Sequence, residues 1–168
     1  MKTPYRIIFT LLLFISVAAT QAKAQGWSTY ESEAFGLQFD LPDDWTTEVD
    51  GDMLVATGDG IVMVVGAAND DSIDTYDLFG MMVENMGFEA EGEYEELEMA
   101  GGILGVLGTG VGEVEGETVG VVLLAATLDA ANYFAYIYAT PEAYEANVDT
   151  MIDVITSLAP LGWEYEEE

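Results

Sequence analysis

Several aspartates lie close together in one short segment, where their carboxylates could bind a metal ion. The segment Asn69-Asp70-Asp71-Ser72-Ile73-Asp74 offers several oxygen atoms to a hard cation such as calcium. The spacing does not match that of an EF-hand loop. The same residues also suit a helix start, with Asp71 or Ser72 as the N-cap and Asp74 in the first turn. We therefore interpret the segment as a helix N-terminus, with a calcium site as the alternative.

Two further acidic loops are candidates for the same role. Asp50 and Asp52 flank Gly51, and Asp59 lies between Gly58 and Gly60. Aspartate and glycine tolerate the backbone angles of tight turns, so both loops are predicted to be turns. A cation could bridge the two loops if the fold placed them side by side.

A row of glutamates has a structural explanation. Glu89, Glu91, Glu93 and Glu95 alternate along one predicted strand, which spaces neighbouring carboxylates by about 7 Å on one face. Such a row does not converge on one ion. It is typical of a solvated face or of a strand edge protected by charge.

Three methionines that lie close together in the sequence could form a copper-binding site. The thioethers of Met81, Met82 and Met86 are soft enough to bind monovalent copper. The chain contains no cysteine and no histidine to complete such a site. Packing in the hydrophobic core is the interpretation that we adopt.

The glycine-rich run over residues 101–112 resembles a phosphate-binding loop only in composition. It contains no G-x-G-x-x-G pattern and no lysine or arginine to meet an anion. Gly108, Gly110 and Gly112 share one face of a predicted strand, so we expect a helix or an aromatic ring to pack close to this backbone.

The first 24 residues are typical of a signal peptide. Lys2 and Arg6 precede an apolar run from Ile7 to Ala19, and Ala22-Lys23-Ala24 ends in the small residues that a signal peptidase favours. Cleavage after Ala24 would make Gln25 the first residue, and cleavage after Ala22 is the alternative. We expect a secreted or periplasmic protein that is soluble after cleavage.

Removal of this leader would leave a domain without basic side chains. The 168-residue chain has 32 Asp and Glu but only three Lys and Arg, which are Lys2, Arg6 and Lys23. The acidity excludes nucleic acid and anionic membranes as direct partners. It also predicts adaptation to high salt, because about 1 M salt shortens the screening length to about 3 Å. Catalysis would depend on carboxylate pairs, hydroxyls or bound metals.

The hydrophobic pattern predicts an α+β domain over residues 25–160, followed by an acidic C-terminal tail at 161–168. The pattern indicates strands at 29–31, 36–41, 45–49, 53–57, 61–68, 88–98, 103–113, 118–128 and 132–139. Residues 29–31, 36–41 and 88–98 alternate, whereas 103–113 and 118–128 are apolar on both faces, which suggests a sheet covered on both sides or wrapped into a layered core. Helical periodicity predicts helices at 72–86 and from Pro141 onward. The expected fold is a mainly antiparallel sheet of about six to eight strands packed with two principal helices.

The segment Phe35-Gly36-Leu37, Phe39, Leu41-Pro42 and Trp45, together with this order of elements, resembles the PsbP-like superfamily. That group includes photosystem II extrinsic proteins, DcrB-like proteins and the Ran-binding Mog family. The resemblance implies a layered sandwich in which Pro42 turns the chain and Trp45 anchors a sheet edge. It carries no metal, cofactor or catalytic residue to this chain.

These observations lead to one hypothesis about function and two alternatives. The first is an exported, non-enzymatic domain that acts by protein contact, accessory to an envelope complex, on a partner with a basic surface. The alternative is a protein that binds calcium or another hard cation through its acidic loops. The third is a small carboxylate-dependent hydrolase.

Overall fold

An eight-stranded antiparallel sheet forms the centre of the computed structural model, which describes residues 26–50, 52–68, 73–128 and 131–164. Its strands in spatial order are β3 (Thr46–Asp50), β4 (Met53–Gly58), β5 (Ile61–Ala68), β10 (Ala131–Ala139), β9 (Glu117–Leu128), β8 (Leu104–Val114) and β6 (Glu89–Ala90), with β7 (Glu95–Glu98) also paired to β8. The α+β class and the antiparallel sheet predicted from the sequence are confirmed.

A second, three-stranded sheet lies beside the first. It contains β1 (Trp27–Ser32), β2 (Leu37–Pro42) and the short β11 (Ala159–Pro160), in the order β1-β2-β11. The third strand was absent from the sequence prediction. It pairs Ala159 with Gln38 and Pro160 with Leu37, a contact that leaves no local pattern in the sequence.

The two helices pack on opposite faces of the large sheet. Helix α2 (Pro141–Thr156) and the small sheet bury one face, which we call the covered face; its central side chains include Val122, Leu124 and Ile137. Helix α1 (Thr75–Asn85) packs on the other face, against Val121, Leu123 and neighbouring apolar residues. The result is a layered sandwich with two separate hydrophobic clusters.

Helix α2 begins where the sequence predicts. Pro141 occupies the first turn, and the Thr140 hydroxyl accepts a hydrogen bond from the Ala143 amide at 3.4 Å. Tyr144, Met151 and Ile155 turn toward the sheet and are buried. The helix lies on β9 and β10, where its apolar stripe closes the covered face.

Helix α1 begins three residues later than predicted. Asp74 is the N-cap rather than a first-turn residue, because its side chain accepts a hydrogen bond from the Asp77 amide at 2.8 Å. Gly87, the predicted stop, has φ of +55° and ends the helix after the C-cap Met86, as a left-handed C′ glycine does.

The predicted strand 88–98 is broken in two. Strands β6 and β7 both pair with β8, but residues 91–94 between them leave the ladder. The break lets Tyr94 turn inward onto Phe79 of α1, with ring centroids 4.7 Å apart. The four glutamates therefore do not form one continuous row, although all four are exposed.

Glycines on β8 allow close packing, as the sequence predicts. A Cβ added to Gly108 would lie 2.9 Å from the Phe79 ring of α1, and one added to Gly110 would lie 2.1 Å from the backbone oxygen of Glu89. Since neither position has room for a side chain, the helix and the edge strand approach the β8 backbone directly.

Trp45 anchors the edge of the large sheet in the core, as the resemblance implies. Its amide donates to the Pro42 carbonyl at 3.0 Å, which closes the turn, and its indole is buried against Gly58.

Residues 161–163, which we assigned to the tail, form hydrogen bonds with the small sheet and with the residue that precedes it. The Leu161 amide donates a hydrogen bond to the Gly36 carbonyl at 2.8 Å. The side-chain amide of Gln38 donates a hydrogen bond to the Trp163 carbonyl at 2.8 Å.

No helix in the described ranges combines the length and apolar character needed to cross a bilayer. The predicted signal peptide, at residues 1–24, lies outside those ranges and remains a prediction.

Candidate functional site

The aspartates of the two predicted turns, Asp50, Asp52 and Asp59, do not come together. The turn that holds Asp50 and Asp52 joins β3 to β4, whereas the turn that holds Asp59 joins β4 to β5. Since these turns lie at opposite ends of the six-residue strand β4, about 20 Å apart by the rise of a strand, one cation cannot bridge them.

Of the remaining candidates, one is a helix cap and two lie outside the described ranges. The carboxylate of Asp74 caps α1, and Asp70 and Asp71 lie outside the described residues. Within the described ranges, no three Asp or Glu side chains converge in a way that could hold a metal ion. The calcium site therefore stays a prediction.

A groove of about 580 Å³ lies where α1 meets the sheet. Its walls come from four parts of the chain: the end of β5, α1 with the residue Ile73 before it, the β8–β9 turn with the end of β8, and β10. The apolar residues that line it include Ile73, Leu78, Met81, Met82, Met86, Val114, Phe134 and Tyr136. Because it is lined by three methionine thioethers, we call it the methionine groove. Its volume falls within the range of about 300–1,000 Å³ that is typical of ligand pockets.

The methionines of this groove are only partly core residues. Met82 of α1 is buried against the sheet, as the sequence interpretation proposed, and Met86 is half-buried. Met81 is 48% exposed at the mouth of the groove, so core packing does not explain it. Methionine adapts its shape readily and is common on surfaces that bind other molecules.

A polar network fixes the start of α1 against the sheet. The buried Asn132 side chain donates to the Ile73 carbonyl and accepts from the Thr127 hydroxyl at 2.6 Å. The Thr127 and Thr75 hydroxyls share a second hydrogen bond of 2.5 Å. Since every polar atom named here has a partner, the network holds the helix at one position above β9.

The other end of α1 is joined to the β8–β9 turn. The Glu113 amide donates to the Met86 carbonyl at 2.8 Å. Glu115 and Gly116 both have positive φ, at +54° and +84°, as a two-residue type I′ hairpin requires. This turn places the exposed Glu115 at the rim of the groove, and Glu113, whose amide bonds to Met86, adds to the lining beside it.

Two tyrosines continue the floor of the groove along β10. The rings of Tyr136 and Tyr138 are stacked, with centroids 6.1 Å apart and planes 25° apart. Burial raises the pKa of Tyr136, and the neighbouring Tyr138 raises it further. Burial likewise raises the pKa of Tyr138, with a smaller contribution from Glu115. Both hydroxyls therefore remain neutral at physiological pH.

This part of the molecule also has an open sheet surface. Helix α1 packs against β8, β9 and β10, and no helix in the described part of the chain covers β3, β4 and β5 on this side. We call the uncovered side chains Val55, Val62, Val64, Tyr136 and Tyr138 the open face. All of them except Val64 are half-buried rather than fully buried.

Sequence reasoning did not find this site. One usable signal was present, because Phe134, Tyr136 and Tyr138 alternate with the smaller Ala135 and the buried Ile137. That alternation indicates an aromatic row on a second face of a strand. It does not show that α1 leaves part of the row uncovered.

Comparison with solved structures gives clear matches, whereas no protein-family model and no curated protein matches the sequence. The solution structure of cyanobacterial PsbP (CyanoP) from Synechocystis matches with a TM-score of 0.61 at 10% identity, over 83% of this chain and 95% of that one. LpqN of Mycobacterium tuberculosis, described as involved in cell envelope biogenesis, matches with a TM-score of 0.53 at 14% identity, over 81% and 91% of the two chains.

A Pseudomonas aeruginosa protein of unknown function gives a third match, with a TM-score of 0.50 at 16% identity over 80% of this chain and 96% of the other. At such low identities the agreement concerns the arrangement of helices and strands and not the residues of a site. This arrangement was expected from the Phe35–Trp45 segment and from the order of elements. The chain has the PsbP-like fold.

Proposed function

We propose that this chain is an exported accessory domain that acts by protein contact and without catalysis. The observation that carries the proposal is the methionine groove with the adjoining open face, an apolar surface bordered by carboxylates. An exposed apolar area with a polar rim is typical of a surface that binds another molecule. The fold shared with LpqN, which is described as acting in envelope biogenesis, supports a role in the cell envelope.

The absence of catalysis is inferred from the chemistry of the groove. Glu113 and Glu115 are exposed at its rim, whereas a hydrolase of the carboxylate type needs one desolvated carboxyl group facing a second across the substrate. The rest of the lining is mostly apolar and contains three thioethers. Such a surface suits binding better than proton transfer.

Site-specific photo-crosslinking in the native envelope tests the proposal. A crosslinking amino acid at Met81 samples the groove, and one at Val49 is the control, because Val49 is 60% exposed on the edge strand β3 and lies outside the groove. We expect one discrete crosslinked protein from position 81 and none from position 49. Identical products from both positions, or no product from either, would contradict the proposal.

Export and salt adaptation belong to the same proposal. The mature protein is expected to begin at Gln25, which mass spectrometry of the protein from its native host will check.

Since no lysine, arginine or histidine follows Lys23, carboxylate repulsion is relieved only by dissolved ions. We expect the thermal midpoint to rise with sodium chloride up to molar concentration. A flat or falling midpoint would reject salt adaptation.

A further inference from the structure

The open face has the width of one helix. Neighbouring strands are about 4.8 Å apart, and packed helices lie about 8–10 Å apart, so a second helix beside α1 would sit two strands away. Helix α1 has its largest contact with β9, and the second strand from β9 across β10 is β5. The free position for a helix is therefore directly above β5.

The floor beneath that position is mostly apolar in two successive cross-strand rows. Val55, Val64 and Tyr136 form one row across β4, β5 and β10. Val62 and Tyr138 form the next row with Thr57 of β4, whose side chain is polar and exposed. None of these side chains carries a charge at neutral pH. An apolar stripe of a helix can lie on such a floor, with Met81 and Met82 of α1 as its side wall.

Both borders of this floor are negative. Glu48 and Asp50 are the β3 partners of Val55 and Met53, so they belong to the same face of the sheet as the floor. On the other side, Glu115 stands at the rim of the groove near the end of α1, where the helix dipole adds negative charge and the last turn contains no basic residue. An occupant with lysine or arginine on both flanks of its apolar stripe would complement these borders.

A second copy of the chain is a poor occupant by the same argument. Two open faces in contact would bring Glu48, Asp50 and Glu115 against their own copies. No basic side chain after Lys23 could compensate for them. Like charges placed opposite each other at an interface oppose association.

We propose that the open face and the methionine groove bind an amphipathic helix of a partner protein, with an apolar stripe on β5 and basic residues on both flanks. The proposal rests on the protein-contact function proposed above and names the partner's chemistry. Because α1 has 11 residues, the docked helix needs about three turns, or about 11 residues. This mode corresponds to the known recognition of amphipathic helices in hydrophobic grooves.

Two synthetic peptides of identical composition test the proposal. Each contains leucine and lysine, but the first places the leucines on one helical face, and the second scatters them around the helix. Both carry the same charge, so nonspecific attraction to an acidic protein is equal for the two. We expect the amphipathic peptide to bind more tightly by about tenfold, equivalent to about 1.4 kcal/mol, in fluorescence anisotropy at high salt.

Two variants with the same added charge locate the binding. Val62→Glu puts a carboxylate on the floor, and Val49→Glu puts one at an exposed position whose β4 partner, Leu54, belongs to the covered face. We expect Val62→Glu to weaken binding of the amphipathic peptide by about tenfold, and Val49→Glu to change its affinity by about twofold or less in either direction. If Val62→Glu lowers the thermal midpoint, the nearly isosteric Val62→Thr replaces it, with a smaller loss of affinity expected.

Several outcomes would overturn the proposal. Equal effects of Val62→Glu and Val49→Glu would mean diffuse attraction to acidic surface. Dimers in light scattering that Val62→Glu disrupts would identify a second copy as the occupant. A discrete crosslink from Met81 without peptide preference would leave the protein-contact function standing and reject the helix. If the Met81 crosslink and the preference for the amphipathic peptide are both absent, the protein-contact function and the bound helix are both rejected.

Discussion

The two faces of the large sheet contribute differently to the molecule. On the covered face, α2 and the small sheet bury residues such as Val122, Leu124 and Ile137 completely. On the other face, α1 covers β8, β9 and β10 but leaves the open face half-exposed. Stability therefore comes mainly from the covered face, and the open face is available for binding. Variants that make the same chemical change on each face test this comparison.

The largest effect is expected from equal truncations on the two faces. Val122→Ala and Val62→Ala each remove two methyl groups from a strand, but Val122 is fully buried and Val62 is half-exposed. We expect Val122→Ala to lower the free energy of unfolding by about 2–3 kcal/mol, because transfer and cavity terms add. Val62→Ala should cost about 1 kcal/mol or less. Urea denaturation measures both, and equal losses would show that the open face is part of the core.

Two glycines extend the comparison from small to large side chains. A Cβ on Gly120 would lie 2.1 Å from the Tyr144 ring beneath α2, whereas a Cβ on Gly80 of α1 would meet nothing within 4 Å. Gly120→Ala should destabilise by about 1–3 kcal/mol through overpacking. Gly80→Ala should stabilise by about 0.5–1 kcal/mol, since alanine favours a helix interior. Thermal denaturation gives the signs, and a loss at Gly80 would mean that α1 is packed more tightly than its exposure indicates.

The polar network at the start of α1 provides a third test. Asn132→Ala would leave the Ile73 carbonyl and the Thr127 hydroxyl without their present partner. We expect a loss of about 1–2 kcal/mol, because a buried polar group without a partner costs that much. Amide exchange should rise mainly in α1 and less in α2, since the network joins only α1 to the sheet. Equal increases in both helices would mean that the two faces open together.

Much of the fold could be predicted from the sequence because each face of a strand leaves a local pattern. Runs that are apolar on both faces located the two longest strands, β8 and β9, and Pro141 located the start of α2. The failures have physical causes. Tyr94 leaves the edge strand to contact Phe79, and β11 exists only because Pro160 reaches Leu37. Both contacts join residues whose neighbours in the sequence give no sign of them.

The candidate site was less predictable than the fold. Met81, Glu115 and Tyr136 lie on three separate elements, and the strand order β5-β10-β9-β8 brings them together. Hydrophobic periodicity shows which residues share a face but not which strands are neighbours. The acidic composition of the chain favours aspartates in turns as candidate ligands. The groove itself is apolar, and its carboxylates stand only at the rim.

The smallest effect concerns tyrosine ionisation on the two faces. Tyr144 of α2 donates a hydrogen bond to Glu91 at 3.1 Å. Burial, followed by this bond and the charge of Glu91, raises the pKa of Tyr144 to about 12 from the ordinary value of 10.0. The folded state therefore keeps a proton that the unfolded chain loses above pH 10. By linkage, the stability that this neutral hydroxyl contributes is complete below about pH 10 and is lost as the pH rises toward 12.

Tyr144→Phe should remove this part of the alkaline decline, as urea midpoints measured between neutral and strongly alkaline pH will show. Tyr138→Phe is the matched change at the open face, where burial and then Glu115 raise the tyrosine pKa. It should flatten the decline less, because Tyr138 is half-exposed and water screens its interaction with Glu115. A larger effect at Tyr138 than at Tyr144 would reverse the comparison, since it would mean that ionisation is resisted more strongly on the open face than under α2.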